Sequence, residues 1–193
     1  MKLKFQCVLA SLLAISLLTC PALAMSFPDV DDYLDYAVAV DYVSELGIMV
    51  GDNQGNFNPY KTVTRAEMAT IICRMLGETE NLPSSTAFTD VPIGHWANAY
   101  VGKAAELRIV NGYGGGKFGP SDNVTYEQAV TMVVRAIGEA ETAAQYGGYP
   151  DGFLSVAEEN FLLEGILAKK GEPLSRADIA MILFNYYNFG IPG

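Results

Sequence analysis

The sequence predicts an all-α protein, one domain made of three tandem helix-loop-helix units. Three observations predict it: an internal repeat at a fixed offset, apolar stripes at helical spacing, and the same capping pattern before every second helix. The repeat is the strongest. Sliding residues 27–78 onto 88–139, an offset of 88 − 27 = 61, needs no gap and gives 17 identities in 52 positions. Matches include Phe27/Phe88, Asp29-Val30/Asp90-Val91, Gly51/Gly112, Phe57/Phe118, Pro59/Pro120 and Val63-Thr64/Val124-Thr125. A third, more divergent copy follows. Ala157 to Ile166 parallels the first helix, and Leu174-Ser-Arg-Ala-Asp178 parallels Val63-Thr-Arg-Ala-Glu67, with the central loop between them shortened. Units of this length cannot bury a face alone, so stacked copies are expected.

The elements follow in order. Ala39, Val43 and Leu46 share one helical face, and Gly47 stops that helix. Gly51 to Pro59 is a turn-rich loop in which Phe57 is the expected core anchor. The second helix begins after Thr64, because Thr64-x-x-Glu67 is a capping box: the hydroxyl accepts the N–H three residues on and the carboxylate reaches back. Thr125-x-x-Gln128 repeats the device and Ser175-x-x-Asp178 keeps a weaker form. Met68, Ile71, Ile72 and Met75 then form a buried stripe, as do Ile179, Ile182, Leu183 and Tyr186. The units are assigned to residues 25–80, 86–141 and 145–190, joined by linkers at 79–86 and 141–148.

Residues 1–24 are read as a secretory signal peptide. Lys2 and Lys4 form the basic region, an apolar run follows, and Ala22-Leu23-Ala24 is the cleavage signature, leaving Met25 as the mature start. Leu17-Leu18-Thr19-Cys20 offers a rival lipoprotein reading, with Thr19 a poor residue before the cysteine. The apolar run is short for a membrane span. Removing the signal leaves a net charge of 10 − 22 = −12 and only Cys73, so no internal disulfide is expected and stability falls to core packing. Cys73 lies in an apolar run and reads as a small buried hydrophobe. An acidic chain lacks the basic face that nucleic acid needs, and one His and one remaining Cys do not build a zinc site.

Arg65 stands apart from these structural roles. A cation in the first helical turn faces the positive end of the helix dipole, at about 0.3–1 kcal/mol. Arg176 recurs at the same place in the third copy. An Arg beside unpaired helix-start amides is suited to gripping a carboxylate or phosphate.

Phe88-Thr-Asp-Val91 with His95-Trp96-Ala97, Gly55-Asn-Phe-Asn-Pro59 and Thr64-Arg-Ala-Glu67, in tandem copies, resemble the S-layer homology (SLH) domain. The resemblance implies a pseudo-threefold, three-pronged helical module that anchors exported proteins to acidic, often pyruvylated, secondary cell-wall polysaccharide. It implies Arg65 and Arg176 as ligand contacts in grooves between prongs, with Asp29, Asp90 and Trp96 shaping those grooves. Asp35 stands where Trp96 is in the second copy, and Tyr126 replaces the Arg there, so fewer than three working grooves are expected.

Catalysis finds little support. Gly112 to Phe118 lacks the Ser/Thr and first Gly of a phosphate loop. Asp52 to Asn58 resembles a calcium loop but places Val63 where Glu is needed, so neither a metal nor a cofactor is expected. The resemblance covers nearly all of residues 27–187, and only Asn188–Gly193 follow it. The leading expectation is therefore a secreted, noncatalytic wall-binding protein, with surface-layer proteins as further partners. A second reading is a protein–protein adaptor using Tyr33, Tyr36, Tyr60, Tyr113 and Tyr149 as an aromatic patch.

Overall fold

Thr64, Thr125 and Ser175 each stand one residue before a helix, and their caps fix where the long helices start. The computed structural model describes residues 27–189; the signal-peptide reading, Cys7 and Cys20 lie outside them. The helices are α1 (Ala37–Glu45), α2 (Arg65–Met75), α3 (Asn98–Glu106), α4 (Tyr126–Ala136), α5 (Ala140–Gln145), α6 (Asp151–Glu159) and α7 (Arg176–Phe189). Among the described residues extended pairing is confined to isolated bridges, so the protein is all-α. Among the described residues no helix is long and apolar enough to cross a membrane.

The expected stripes are buried, except that Tyr186 is half-buried. Met68, Ile72, Ile179, Ile182 and Leu183 are fully enclosed, with Ile71 and Met75 nearly so. Phe57 and its counterpart Phe118 are the largest fully buried side chains. Two local expectations change. Leu46, placed on the core face of the first helix, is 51% exposed, because the helix ends at Glu45 and Gly47 turns the chain away at φ 68°. The 141–148 linker contains most of α5, which packs on α6 through Ala143. Cys73 is buried beneath α3, and burial pushes its thiol up to about 11, which makes it unreactive.

Helices of one unit do not rest on each other. Instead α3 packs on α2, α6 packs on α4, and α1 packs on α7. Each first helix thus lies on the second helix of another stretch, and the last contact closes the circuit. The loops repeat this logic in the backbone. Val63 N–H donates to the Leu174 carbonyl (3.0 Å), Leu174 N–H to Val124 (3.2 Å), and Val124 N–H to Val63 (2.8 Å). These three buried residues occupy corresponding positions, and their peptide groups satisfy one another in a ring.

The caps differ in quality. Thr64 Oγ1 accepts from Glu67 N–H (3.2 Å) while Glu67 Oε2 accepts from Thr64 N–H (2.8 Å). Ser175 and Asp178 form the same reciprocal pair at 3.2 and 2.9 Å. At α4 the Thr125 N–H reaches Gln128 Oε1 only at 3.5 Å, and the buried Thr125 hydroxyl finds no partner within bonding distance. Thr64→Ala is therefore expected to lower the unfolding free energy by about 1 kcal/mol in urea titration, and Thr125→Ala by clearly less.

Candidate functional site

Each second helix begins against the loop of another stretch, which decides what its first residues can do. Arg65 N–H donates to the Asp122 carbonyl (2.8 Å) and Ala66 N–H to Pro120 (3.2 Å), while Glu67 N–H is taken by its cap. Arg176 and Ala177 N–H donate to Lys61 and Pro59, both at 2.9 Å, and Tyr126 N–H donates to Glu172 (2.8 Å). The expectation of unpaired amides beside Arg65 is overturned. The helix starts are stitched to neighbouring loops, so their amides are not free for a ligand.

The two candidate arginines occupy equivalent settings. Arg65 Nε donates to the Phe118 carbonyl and Nη2 to the Asn111 carbonyl, both at 2.9 Å, and Nη1 reaches Gln128 Oε1 at 3.3 Å. Its guanidinium lies between the Tyr113 ring (4.5 Å) and the Phe118 ring (4.7 Å), and the residue is only 5% exposed. Arg176 Nε donates to the Phe57 carbonyl and Nη2 to Val50, both at 2.7 Å, with the guanidinium 4.5 Å from the Phe57 ring. Burial draws both arginine pKa values down, and nearby groups oppose it: chiefly Tyr113 and Asp122 at Arg65, chiefly Glu67 and Asp29 at Arg176. Both stay charged at neutral pH. Neither belongs to any ion pair among the described residues, which are Lys61–Glu67, Lys103–Glu78 and Lys170–Asp151.

Asp29 and Asp90 hold the same loops from the other side. Asp29 accepts from Phe57 N–H (2.8 Å) and Asn58 N–H (2.6 Å). Asp90 accepts from Phe118 N–H and Gly119 N–H, both at 2.9 Å. Their carboxylates are thus committed to the backbone and set the loop shape. Burial pushes the Asp90 carboxyl up, but the Gly119 and Phe118 amides and the charge of Lys117 outweigh it, leaving the pKa below its ordinary value.

Three clefts result. The Arg65 cleft is the largest, about 390 Å³, and its lining includes Asn111, Tyr113, Gln128, Thr131, Arg135 and Tyr149. Two guanidiniums line it and no acid does. Arg135 is steadied by the Ile109 carbonyl (3.3 Å) and the Phe153 ring (5.3 Å), so its charge too lacks a carboxylate partner. The Arg176 cleft consists of adjoining hollows of about 200 and 120 Å³. Arg74 and the 61% exposed Trp96 line it, but so do Asp52 and Glu67. The Tyr126 cleft, about 270 Å³, has Glu158 and Glu164 and no cation. The structure therefore joins Trp96 to Arg176, places Asp29 and Asp90 behind the loops, and leaves Tyr126 in an acidic hollow.

Arg135 escaped the sequence reading. It is identical to Arg74 in the ungapped alignment and sits alone in an apolar helix, which was the available signal. Of the tyrosines offered as an adaptor patch, Tyr113 and Tyr149 line the Arg65 cleft, Tyr36 and Tyr60 bond to each other (2.9 Å), and Tyr33 stands 94% exposed.

Residues 26–69 and 87–130 match the family model of the S-layer homology domain. The chain is 36% identical over 162 residues to a cell surface protein of Thermoanaerobacter kivui, covering 81% of the chain and 20% of that protein. It is 34% identical over 171 residues to a surface layer protein of Brevibacillus choshinensis, covering 86% and 15%. It is 30% identical over 120 residues to a cellulosome-anchoring protein of Acetivibrio thermocellus, covering 59% and 26%. The chain thus spans between 15% and 26% of the length of these relatives.

Because the Asp90 pKa is lowered in the fold, its contribution to stability is full above the unfolded value, about pH 4, and is lost as pH falls through the folded value. Asp90→Asn is expected to flatten the acid limb of a stability–pH profile below about pH 4. An unchanged acid limb would show that the carboxylate does not hold the loop in solution.

Proposed function

We propose that this chain is an exported, noncatalytic wall-anchoring module of the cell wall or surface layer. Its ligand is acidic secondary wall polysaccharide bearing pyruvate ketals, bound in the clefts between units. The observation that carries this reading is the Arg65 cleft, where two guanidiniums meet without a carboxylate in a chain of mature charge 10 − 22 = −12. A diffuse negative field repels a polyanion within the Debye length of about 8–10 Å and is screened beyond it, so binding is local and rests on this exception. Tyr113 and Tyr149 supply flat faces for a sugar ring, and Gln128 and Asn111 supply amides. The matched family and the surface-protein relatives support an anchoring role.

In this reading residues 145–190 are a third, degenerate copy, and the three copies pack about a pseudo-threefold axis. The ring of Val63, Val124 and Leu174 and the closing α1–α7 contact support that packing. The clefts are graded by charge. The Arg65 cleft is the principal site, and the Arg176 cleft with Trp96 is a weaker one because Asp52 and Glu67 oppose an anion. The Tyr126 cleft is silent.

Arg65→Ala is a poor probe, since it also removes three hydrogen bonds that hold the adjoining loop and cap. Arg135→Gln is better. It is expected to weaken sedimentation with ketal-bearing wall fragments about tenfold or more, with helicity by circular dichroism unchanged. Unchanged affinity would remove Arg135 from the site. Binding that survives stripping of the polysaccharide from wall sacculi would instead favour a protein adaptor.

A further inference from the structure

The cleft contains a reactive dipeptide. Asn111-Gly112 is the only Asn-Gly step in the chain, and the first copy has Val50-Gly51 at that place. Packing requires the glycine: a Cβ there would stand 2.6 Å from Phe88 and collide with the Lys117 carbonyl. The preceding residue is free to vary, and here it is asparagine. Glycine leaves its own nitrogen without steric cover, so this step is the one most open to attack on the asparagine amide.

Three local features favour that attack. Asn111 is exposed. Among the described residues the Gly112 N–H has no hydrogen-bond acceptor, so its nitrogen is not tied into the ladder of turns around it. With the Asn111 amide oriented to satisfy both its ends, the nitrogen donates to the Val110 carbonyl (3.2 Å) and Oδ1 accepts from Arg135 Nη1 (3.3 Å). The guanidinium polarises the carbonyl and stabilises the oxyanion that forms on it. The buried amides differ: Asn98 and Asn185 are 4% and 5% exposed and are followed by Ala99 and Tyr186.

We infer that Asn111 is a deamidation site and that its conversion closes the Arg65 cleft to anions from within. The Gly112 nitrogen bonds to Asn111 Cγ and gives up its proton to solvent base. The Cγ–Nδ2 bond then breaks, and ammonia leaves after taking a proton. Water opens the resulting succinimide at either carbonyl, giving aspartate or isoaspartate and no change in oxidation state. In aspartate the new carboxylate lies beside Arg135 and pairs with it, so an arriving anion meets a like charge where it had met two cations. In isoaspartate the main chain runs one methylene longer through the former side-chain carbonyl, and the carboxylate is the former Asn111 main-chain carbonyl that held Arg65 Nη2. Val50 cannot undergo this change, so the Arg176 cleft is unaffected. The consequence for binding rests on the anion-cleft reading above, whereas the covalent step does not.

The full chain, kept folded at mildly alkaline pH, tests both halves. Peptide mapping follows the amide-to-acid mass shift at each asparagine, and an NMR titration with pyruvate reads the cleft. Asn111 is expected to convert faster than every other asparagine. Converted protein and Asn111→Asp are expected to bind pyruvate about tenfold more weakly at the Arg65 cleft, while Asn111→Gln ages without that loss. Slower conversion of Asn111 than of the other asparagines overturns the site. Equal pyruvate affinity in fresh and converted protein, or none in fresh protein, overturns the closure. Fresh protein that binds pyruvate at this cleft but ignores wall fragments sinks the polysaccharide reading and leaves this one standing.

Discussion

The architecture depends on a clamp closed around one peptide group, made twice. At the Phe118–Gly119 peptide, Asp90 accepts the Gly119 N–H and Arg65 takes the Phe118 carbonyl, while the phenyl ring lies buried under the guanidinium. At the Phe57–Asn58 peptide, Asp29 accepts the Asn58 N–H and Arg176 takes the Phe57 carbonyl in the same way. The charges are opposite, yet they act through the polarised peptide between them and form no ion pair. Each bond is charge-assisted and stronger than a neutral one. Since Asp and loop come from one stretch and Arg from another, the clamp fixes loop conformation and the junction between stretches together. The loop cannot change shape without releasing the neighbour.

This arrangement accounts for a buried guanidinium with little local compensation. Burial normally demands a paired carboxylate, because an isolated charge is expensive to desolvate. Here carbonyl dipoles and aromatic faces supply partial compensation, and the cleft keeps one side of the charge within reach of solvent. A site built this way already favours an anion before one arrives. The Arg176 cleft uses the same clamp but admits Asp52 and Glu67, with Lys61 bonded to Glu67 at 3.0 Å. Two substitutions between copies, Asp52/Tyr113 and Glu67/Gln128, thus separate an anion-friendly cleft from a mixed one.

Much of the fold was legible because the chain states it more than once. The helix starts could be read from Thr64, Thr125 and Ser175, since a cap is local chemistry within four residues. The core stripes were readable for the same reason. Partner choice was not: nothing in the order of residues says that α3 rests on α2 or that α1 meets α7. That gap explains the error over the helix-start amides, whose acceptors are carbonyls far along the chain, Asp122 for Arg65 and Lys61 for Arg176. It also hid Arg135, which lies two turns beyond the recognisable motif and joins Arg65 only through the fold. Arg65 and Arg176 were visible because a cation at a helix start is locally unfavourable. Their grip on distant loops was invisible because it is tertiary.

The contact of α1 with α7 sets how the molecule can come into being. The earliest described helix rests on the latest, so no partial stretch from either end holds all the neighbours its own helices require. Such a circuit cannot assemble in the order of synthesis, and its longest loop closes last or simultaneously with the rest. The first helix therefore waits without its partner until α7 is present, the condition in which the two ends of a polypeptide stay unjoined while it is threaded through a narrow translocation pore.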